Sequence, residues 1–169
     1  NVTSVINLAD SQTKYLSREN TPEYCGKLYD EGKILFMSMS ASYSSDEFPG
    51  ELHDILLFIA ENPGNSFCVH GKEGKIRTGY VCAVLEALCG ASMEEIEKDY
   101  MITFENYYSL KRNKQQYENL QKTIPYLFQH MNGGSKENPK KIQQITQKFL
   151  KTKAGLTDEQ LALVVKNLQ

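Results

Sequence analysis

The sequence predicts an α/β protein, a parallel sheet flanked by helices with a helical C-terminal half. Three observations carry that expectation. Short β-prone runs alternate with helical patterns between Val2 and Val69, and the chain after Val69 reads as helical to its end. The third is composition: 40% hydrophobic content in 169 residues is enough to bury one sizeable core without disulfide staples, and one domain over residues 1–169 is the expected organisation.

Taken in order, Val2–Leu8 is the first strand-like run, Lys33–Met39 the second and Ser66–Val69 the third, each bounded by polar or Gly-containing segments. Between them, Pro22–Gly32 reads as a helix with proline in its first turn, after Thr21. Pro49–Asn62 reads as another, with Leu52, Ile55, Leu56 and Ile59 spaced to form one apolar face. A helix from about Arg77 to Leu88 follows, with Val81, Val84, Leu85 and Leu88 on one side and Gly90 as its stop. Ser92–Glu95 has the form of a capping box, as does Thr157–Gln160. The second opens a helix whose Leu161, Val164, Val165 and Leu168 make a core-facing stripe. Gly133-Gly134-Ser135 with Pro139 reads as a loop within the domain. Three strands make a thin sheet for so many helices, which leads us to expect further residues upstream of Asn1 in the natural domain.

Charge and cysteine usage remove several function classes. Nineteen Lys and Arg against twenty-one Asp and Glu give a formal charge of −2, so the electrostatic basis for nucleic-acid or anionic-membrane binding is missing and any anion site has to be local. Apolar runs such as Ile55–Ala60 are far short of the roughly 20 residues that span a bilayer, so a soluble protein is expected. Cys25, Cys68, Cys82 and Cys89 fit neither a disulfide scaffold nor a CxxC metal site, and are expected to be reduced, mostly buried thiols; no metal or cofactor is expected. The compartment and the oligomeric state are not legible.

The informative segment is Val69-His-Gly-Lys-Glu-Gly-Lys-Ile-Arg-Thr-Gly79, a strand, a glycine-containing turn and a helix start. Such a turn gathers unpaired backbone N–H groups at the positive end of a helix dipole. Lys72, Lys75 and Arg77 against Glu73 leave the loop a formal charge of about +2, and arginine grips an oxyanion with two parallel N–H bonds. The Walker pattern fails, because Gly71 and Gly74 are three apart and Lys75 is followed by Ile76 rather than a hydroxyl residue. The dinucleotide GxGxxG spacing fails as well.

The loop resembles that of the cysteine-dependent tyrosine phosphatases, His-Cys-x5-Arg-[Ser/Thr], in its variant His-Cys-x-x-Gly-Lys-Asp-Arg-Thr-Gly. His70, Gly74, Lys75, Arg77, Thr78 and Gly79 match; Gly71 stands at the cysteine. The likeness continues through Tyr80–Ser92, Asp99–Met101, Glu105–Tyr108 and Ala154–Gln160, and is similar to the clostridial type of bacterial tyrosine-phosphatase-like protein. The resemblance implies a tyrosine-phosphatase-like fold and a phosphate-binding loop of Gly71, Lys72, Glu73, Gly74, Lys75, Ile76, Arg77 and Thr78. His70 would support the loop from behind or be a satisfied polar residue, and Thr78 would bond the anion or the loop backbone. Asp46, after the second strand, is either the general acid or a helix N-cap.

Two departures bear on activity. The family's nucleophile is a thiolate that attacks phosphorus, and Gly71 has no side chain. Cys68 lies too early, eight residues rather than five before Arg77, and reads as a buried strand residue. Ile76 replaces an aspartate and can neither donate nor accept a proton. The expectation is an inactive pseudophosphatase that binds phosphorylated ligands of the phosphotyrosine or inositol-phosphate class. A Cys-to-Gly form of an active phosphomonoester hydrolase, and a partner-binding domain with an idle loop, are the two alternatives.

Overall fold

The sheet is built on the chain's first strand. In the computed structural model, which describes residues 1–17, 22–110, 115–136 and 138–169, β1 (Ser4–Asn7) is the central strand of three. β2 (Ile34–Phe36) and β3 (Phe67–His70) pair with it on either side, both parallel, with Val5 opposite Ile34 and Cys68. The expected α/β architecture is therefore observed: a three-stranded parallel sheet flanked by helices, all-helical beyond β3. β1 and β2 are shorter than their hydrophobic runs, because only the residues with ladder partners count. β3 ends one residue later than expected, so His70 is a strand residue.

Helices connect and cover this sheet. Asn7 Oδ1 accepts hydrogen bonds from Ala9 N and Asp10 N, turning the chain out of β1. The turn leads into α1 (Gln12–Leu16), a five-residue helix capped by Ser11 that the sequence reading left out. α2 (Glu23–Asp30) follows Pro22, and Gly32 at φ 66° ends it in the left-handed conformation that glycine adopts freely. Thr21, expected ahead of that helix, lies outside the described residues. α3 (Phe48–Glu61) buries Phe48, Leu52, Ile55, Leu56 and Ile59 completely or nearly so, each side chain contributing about 1.5–3 kcal/mol of transfer free energy.

α4 (Ile76–Leu88) starts one residue before the expected Arg77 and carries Val81, Val84 and Leu88 into the core. α5 (Met93–Asn106) opens on the expected capping box of Ser92 and Glu95. α6 (Gln115–Gln121), α7 (Thr123–Met131), a 3-10 turn (Pro139–Lys141) and α8 (Ile142–Thr152) complete the helical half up to α9 (Asp158–Leu168), which opens on the capping box of Thr157 and Gln160. α9 lies along α3. Asn167 Nδ2 donates to Ile59 O and Ala60 O at 2.9 and 3.1 Å, and His53 Nδ1 donates to Ala154 O at 2.8 Å. Leu161 and Val164 of the predicted stripe are buried, and Val165 and Leu168 pack against the core at its edge.

Two packing details differ from or refine the expectations. All four cysteines are unbridged but half-buried rather than fully buried. Gly79, in the first turn of α4, lets α5 approach closely: a Cβ placed there would lie 2.5 Å from Cδ2 and Cε2 of the buried Tyr100 ring. That contact supplies a packing reason for glycine at a position where the sequence offered only a motif match.

Candidate active site

In open α/β sheets the crevice beyond the carboxyl ends of the strands, where the strand order reverses, is the natural ligand site. The order β2-β1-β3 puts that reversal between β1 and β3, and the segment His70–Thr78 leaves β3 there. It surrounds a cavity of about 230 Å³ lined by Gly71, Lys72, Glu73, Gly74, Lys75, Ile76, Arg77 and Thr78, with Ala41 from the segment after β2. All eight loop residues expected from the sequence thus share one concavity. Gly74 takes φ 64°, which lets the loop fold back on itself.

The N-terminal end of α4 carries no side-chain cap. Lys75, the N-cap of α4, makes no side-chain capping hydrogen bond, and the first turn of α4 holds no acidic residue. By contrast α5 and α9 open on side-chain capping boxes with acidic first turns. The first amides of a helix lack intrahelical acceptors, and in α4 they face the cavity with the positive end of the dipole.

Arg77 is held by the backbone of two neighbouring strand ends. Its Nη1 donates to Leu8 O at 2.9 Å and lies 3.5 Å from Met39 O, leaving other N–H groups of the guanidinium for a ligand. Glu51 of α3 reaches the same region: its Oε1 accepts from Ser40 N at 2.7 Å. Burial holds its carboxyl above the usual range, and the Arg77 charge opposes that effect. Neither Glu51 nor the two carbonyls had a sequence signal, because they are brought to Arg77 by sheet order alone.

Lys75 turns out to be engaged inside the loop. Its Nζ lies 3.1 Å from Glu73 Oε2 and 3.6 Å above the Tyr108 ring, whose hydroxyl donates to Glu73 O. The hydrogen bond from Lys75 to Glu73 pushes the ammonium pKa up. Lys75 and Glu73 therefore offset each other, and the loop's formal charge of about +2 rests on Lys72 and Arg77. Lys72 is exposed at the rim, and Ile76 presents an apolar side chain, 41% exposed, at the mouth.

At the floor, Gly71 and Thr78 face each other. A Cβ built on Gly71 would lie 3.1 Å from Thr78 Oγ1, and that hydroxyl is buried without a hydrogen-bond partner. His70 is half-buried, with Nδ1 3.4 Å from Gly71 O. Cys68 sits within β3 opposite Val5, and does not line the cavity.

Asp46 is brought elsewhere. It is exposed and lines a separate groove of about 600 Å³ with His130 and Lys148. The alternative reading as helix cap is not realised either: the N-cap of α3 is Glu47, and no side chain caps it. Tyr100 is part of the core, Tyr107 is 78% exposed and Tyr108 braces the loop. Among the described residues no three His, Cys, Asp or Glu side chains gather as a metal site, and no helix is long and apolar enough to cross a membrane.

Further along α4, Glu86 is half-buried beside Asp99 of α5. Burial first, then the neighbouring Asp99 charge, raises its carboxyl to about 7. The Cys82 thiol is pushed up to about 12, chiefly by burial, and so has no thiolate character near neutral pH.

Comparison with curated proteins and with solved structures gave no match. The model of one family does match, over residues 9–169, a range that takes in the whole loop, Arg77, the Gly79–Tyr100 contact and every helix from α1 to α9. With nearly the full length covered, the chain belongs to the tyrosine phosphatase family.

Proposed function

We propose that the chain is a pseudophosphatase, a phosphatase-like domain over residues 1–169 that binds phosphorylated ligands without hydrolysing them. The observation that carries this reading is the pairing at the loop floor: Gly71 stands where the family places its thiolate, and the hydroxyl facing it belongs to Thr78. Cys68 is displaced from the cavity and Cys82 is held as a thiol, so neither supports a substitute nucleophile. Ile76 at the mouth and Asp46 in the adjacent groove add that no carboxylate lines the cavity opposite Arg77 to act as a general acid, apart from Glu73, whose carboxylate is paired with Lys75. The ligand class is a phosphate group carried on a tyrosine or an inositol ring.

A second reading is favoured by one feature. Thr78 Oγ1 is buried, unpartnered and aimed at position 71, which suits a side chain that once stood there or stands there in an active parent. Gly71→Cys separates the two. No turnover of an aryl phosphate by that variant supports long divergence, whereas turnover supports a hydrolase whose nucleophile has been replaced. Binding is tested by calorimetric titration with a phosphotyrosine peptide and inositol phosphates. Heat that disappears in Arg77→Ala supports the binding module, and no heat with any phosphorylated ligand rejects it in favour of a partner-binding domain with an idle loop.

A further inference from the structure

We propose that the free edge of β2, together with the groove beside it, docks an extended basic segment of a partner protein as an added strand. β2 is an outer strand of the sheet, and its register decides which of its peptide groups are used. Val5 N donates to Lys33 O and Met37 N donates to Asn7 O, so Lys33, Leu35 and Met37 turn their peptide groups toward β1. By alternation Ile34, Phe36 and Ser38 turn theirs away. No hydrogen bond to another described residue occupies them. Such a row of unpaired N–H and C=O groups is a template for a further strand. No residue from Ile34 to Ser38 is buried, which leaves the edge open.

The groove decides what kind of segment fits. It measures about 510 Å³ and lies between β2 and one stripe of α3, with Leu35, Met37, Leu57 and Phe58 as its apolar lining. Glu47, Asp54 and Glu61 recur every seven residues along that stripe, are exposed and make no ion pair with a described residue. Glu51 adds a fourth carboxylate, and among the described residues no lysine or arginine lines the groove. The stripe from Glu47 to Glu61 is about 21 Å long at a rise of about 1.5 Å per residue, the length of about six or seven residues of extended chain. The occupant therefore needs a β-prone backbone, cations for the carboxylates and hydrocarbon to cover Leu57 and Phe58. Lysines alternating with β-branched residues supply all three, because lysine stems cover apolar surface while their ammonium groups reach the carboxylates. A second copy of this chain fits poorly: joining two β2 edges in one antiparallel sheet about a two-fold axis would set one acidic stripe beside the other. The docking edge is separate from the loop after β3, and the proposal does not depend on what that loop binds.

The test uses the full chain at low ionic strength with a fluorescent, end-blocked peptide, Lys-Val-Lys-Val-Lys-Val-Lys, read by anisotropy and by amide hydrogen exchange in NMR. The expected result is saturable binding that slows exchange of the Ile34, Phe36 and Ser38 amides by about tenfold or more and leaves Leu35 and Met37, already in the ladder, unchanged. The double variant Asp54→Lys/Glu61→Lys changes only exposed positions, and thermal unfolding verifies its fold. It should weaken the basic peptide by about tenfold or more and bind Glu-Val-Glu-Val-Glu-Val-Glu in its place. Should that variant fail to fold, Asp54→Asn and Glu61→Gln take its place, each with an expected loss of about threefold. Unchanged affinity in the charge variants, or equal binding of the same peptide with every backbone nitrogen methylated, would overturn the proposal. So would no added protection at Ile34, Phe36 and Ser38, or no binding at all. A chain that sediments as a dimer with those three amides already protected would overturn it in favour of a second copy as the occupant.

Discussion

Replacing Gly79 by alanine tests how the anion loop is positioned. The added methyl would lie 2.5 Å from two ring carbons of Tyr100, where carbon atoms prefer about 3.5 Å or more. Either the ring or the spacing of α4 and α5 must give by about 1 Å. Tyr100 is buried and tilted against Phe104 at a centroid distance of 5.2 Å, so the ring has little freedom to swing away. Overpacking of this kind costs about 1–3 kcal/mol, against which alanine's helix propensity returns at most about 1 kcal/mol. The net loss is about 1 kcal/mol, within a range of about 0–2, or about 2–4 °C in Tm for a chain of this size. Because Arg77 is two residues away, the same displacement moves its guanidinium off Leu8 O and weakens phosphate binding. Urea and thermal unfolding by circular dichroism measure the loss. Tyr100→Leu should relieve it, so that the double variant is less destabilised than the sum of the singles by about 0.5–1 kcal/mol or more. A Gly79→Ala protein as stable as the parent, or strict additivity with Tyr100→Leu, would refute the steric argument.

Two further predictions concern charge. Glu86 titrates at about 7 in the folded protein against 4.5 as an unperturbed group. The folded state therefore keeps a proton that the unfolded state releases, and the stability this contributes is present below pH 4.5 and lost as pH rises through 7. Glu86→Gln should stabilise the protein at pH 8 by about 1 kcal/mol, a figure reduced for the partial exposure of the side chain, and leave it unchanged at pH 4. Parallel pH–stability curves from urea titrations would contradict this. Lys75→Ala should lower affinity for inorganic phosphate by less than about threefold, because Glu73 and Tyr108 already occupy the ammonium, whereas Arg77→Ala should lower it by at least about tenfold. Equal losses in calorimetry would show that Lys75 leaves Glu73 to meet the ligand.

What the sequence disclosed was local. The β-branched runs, the two capping boxes and the spacing of the apolar residues in α3 and α9 each reflect hydrogen bonding or burial within one segment, and each was found. α1 escaped because five residues with a single buried side chain, Tyr15, give no period to detect. The loop was legible as a motif, since its residues are consecutive and its chemistry depends on their types. Its surroundings were not. The carbonyls that anchor Arg77 come from Leu8, 69 residues away, and Met39, 38 away, and reach it only through the strand order. Asp46 illustrates the same limit: its position in the chain suited a general acid, but it lines the groove beside His130 and Lys148 rather than the loop's cavity. Burial of the cysteines was overestimated because residue type was the only guide, and how far each is covered depends on the elements packed over it.

The pairing of α9 with α3 has a consequence for biosynthesis. Asn167 closes onto Ile59 and Ala60 across more than 100 residues of chain. At translation rates of about 5–20 residues per second, the apolar face of α3 remains without this partner for about 5–20 s after it leaves the ribosome. Over that interval β1, β2 and β3 are already made and able to pair, so a nascent chain holds a formed sheet beside an uncovered helix. Such a species is a natural client for holdase chaperones, and a ribosome stalled before α9 should display it stably enough to be captured.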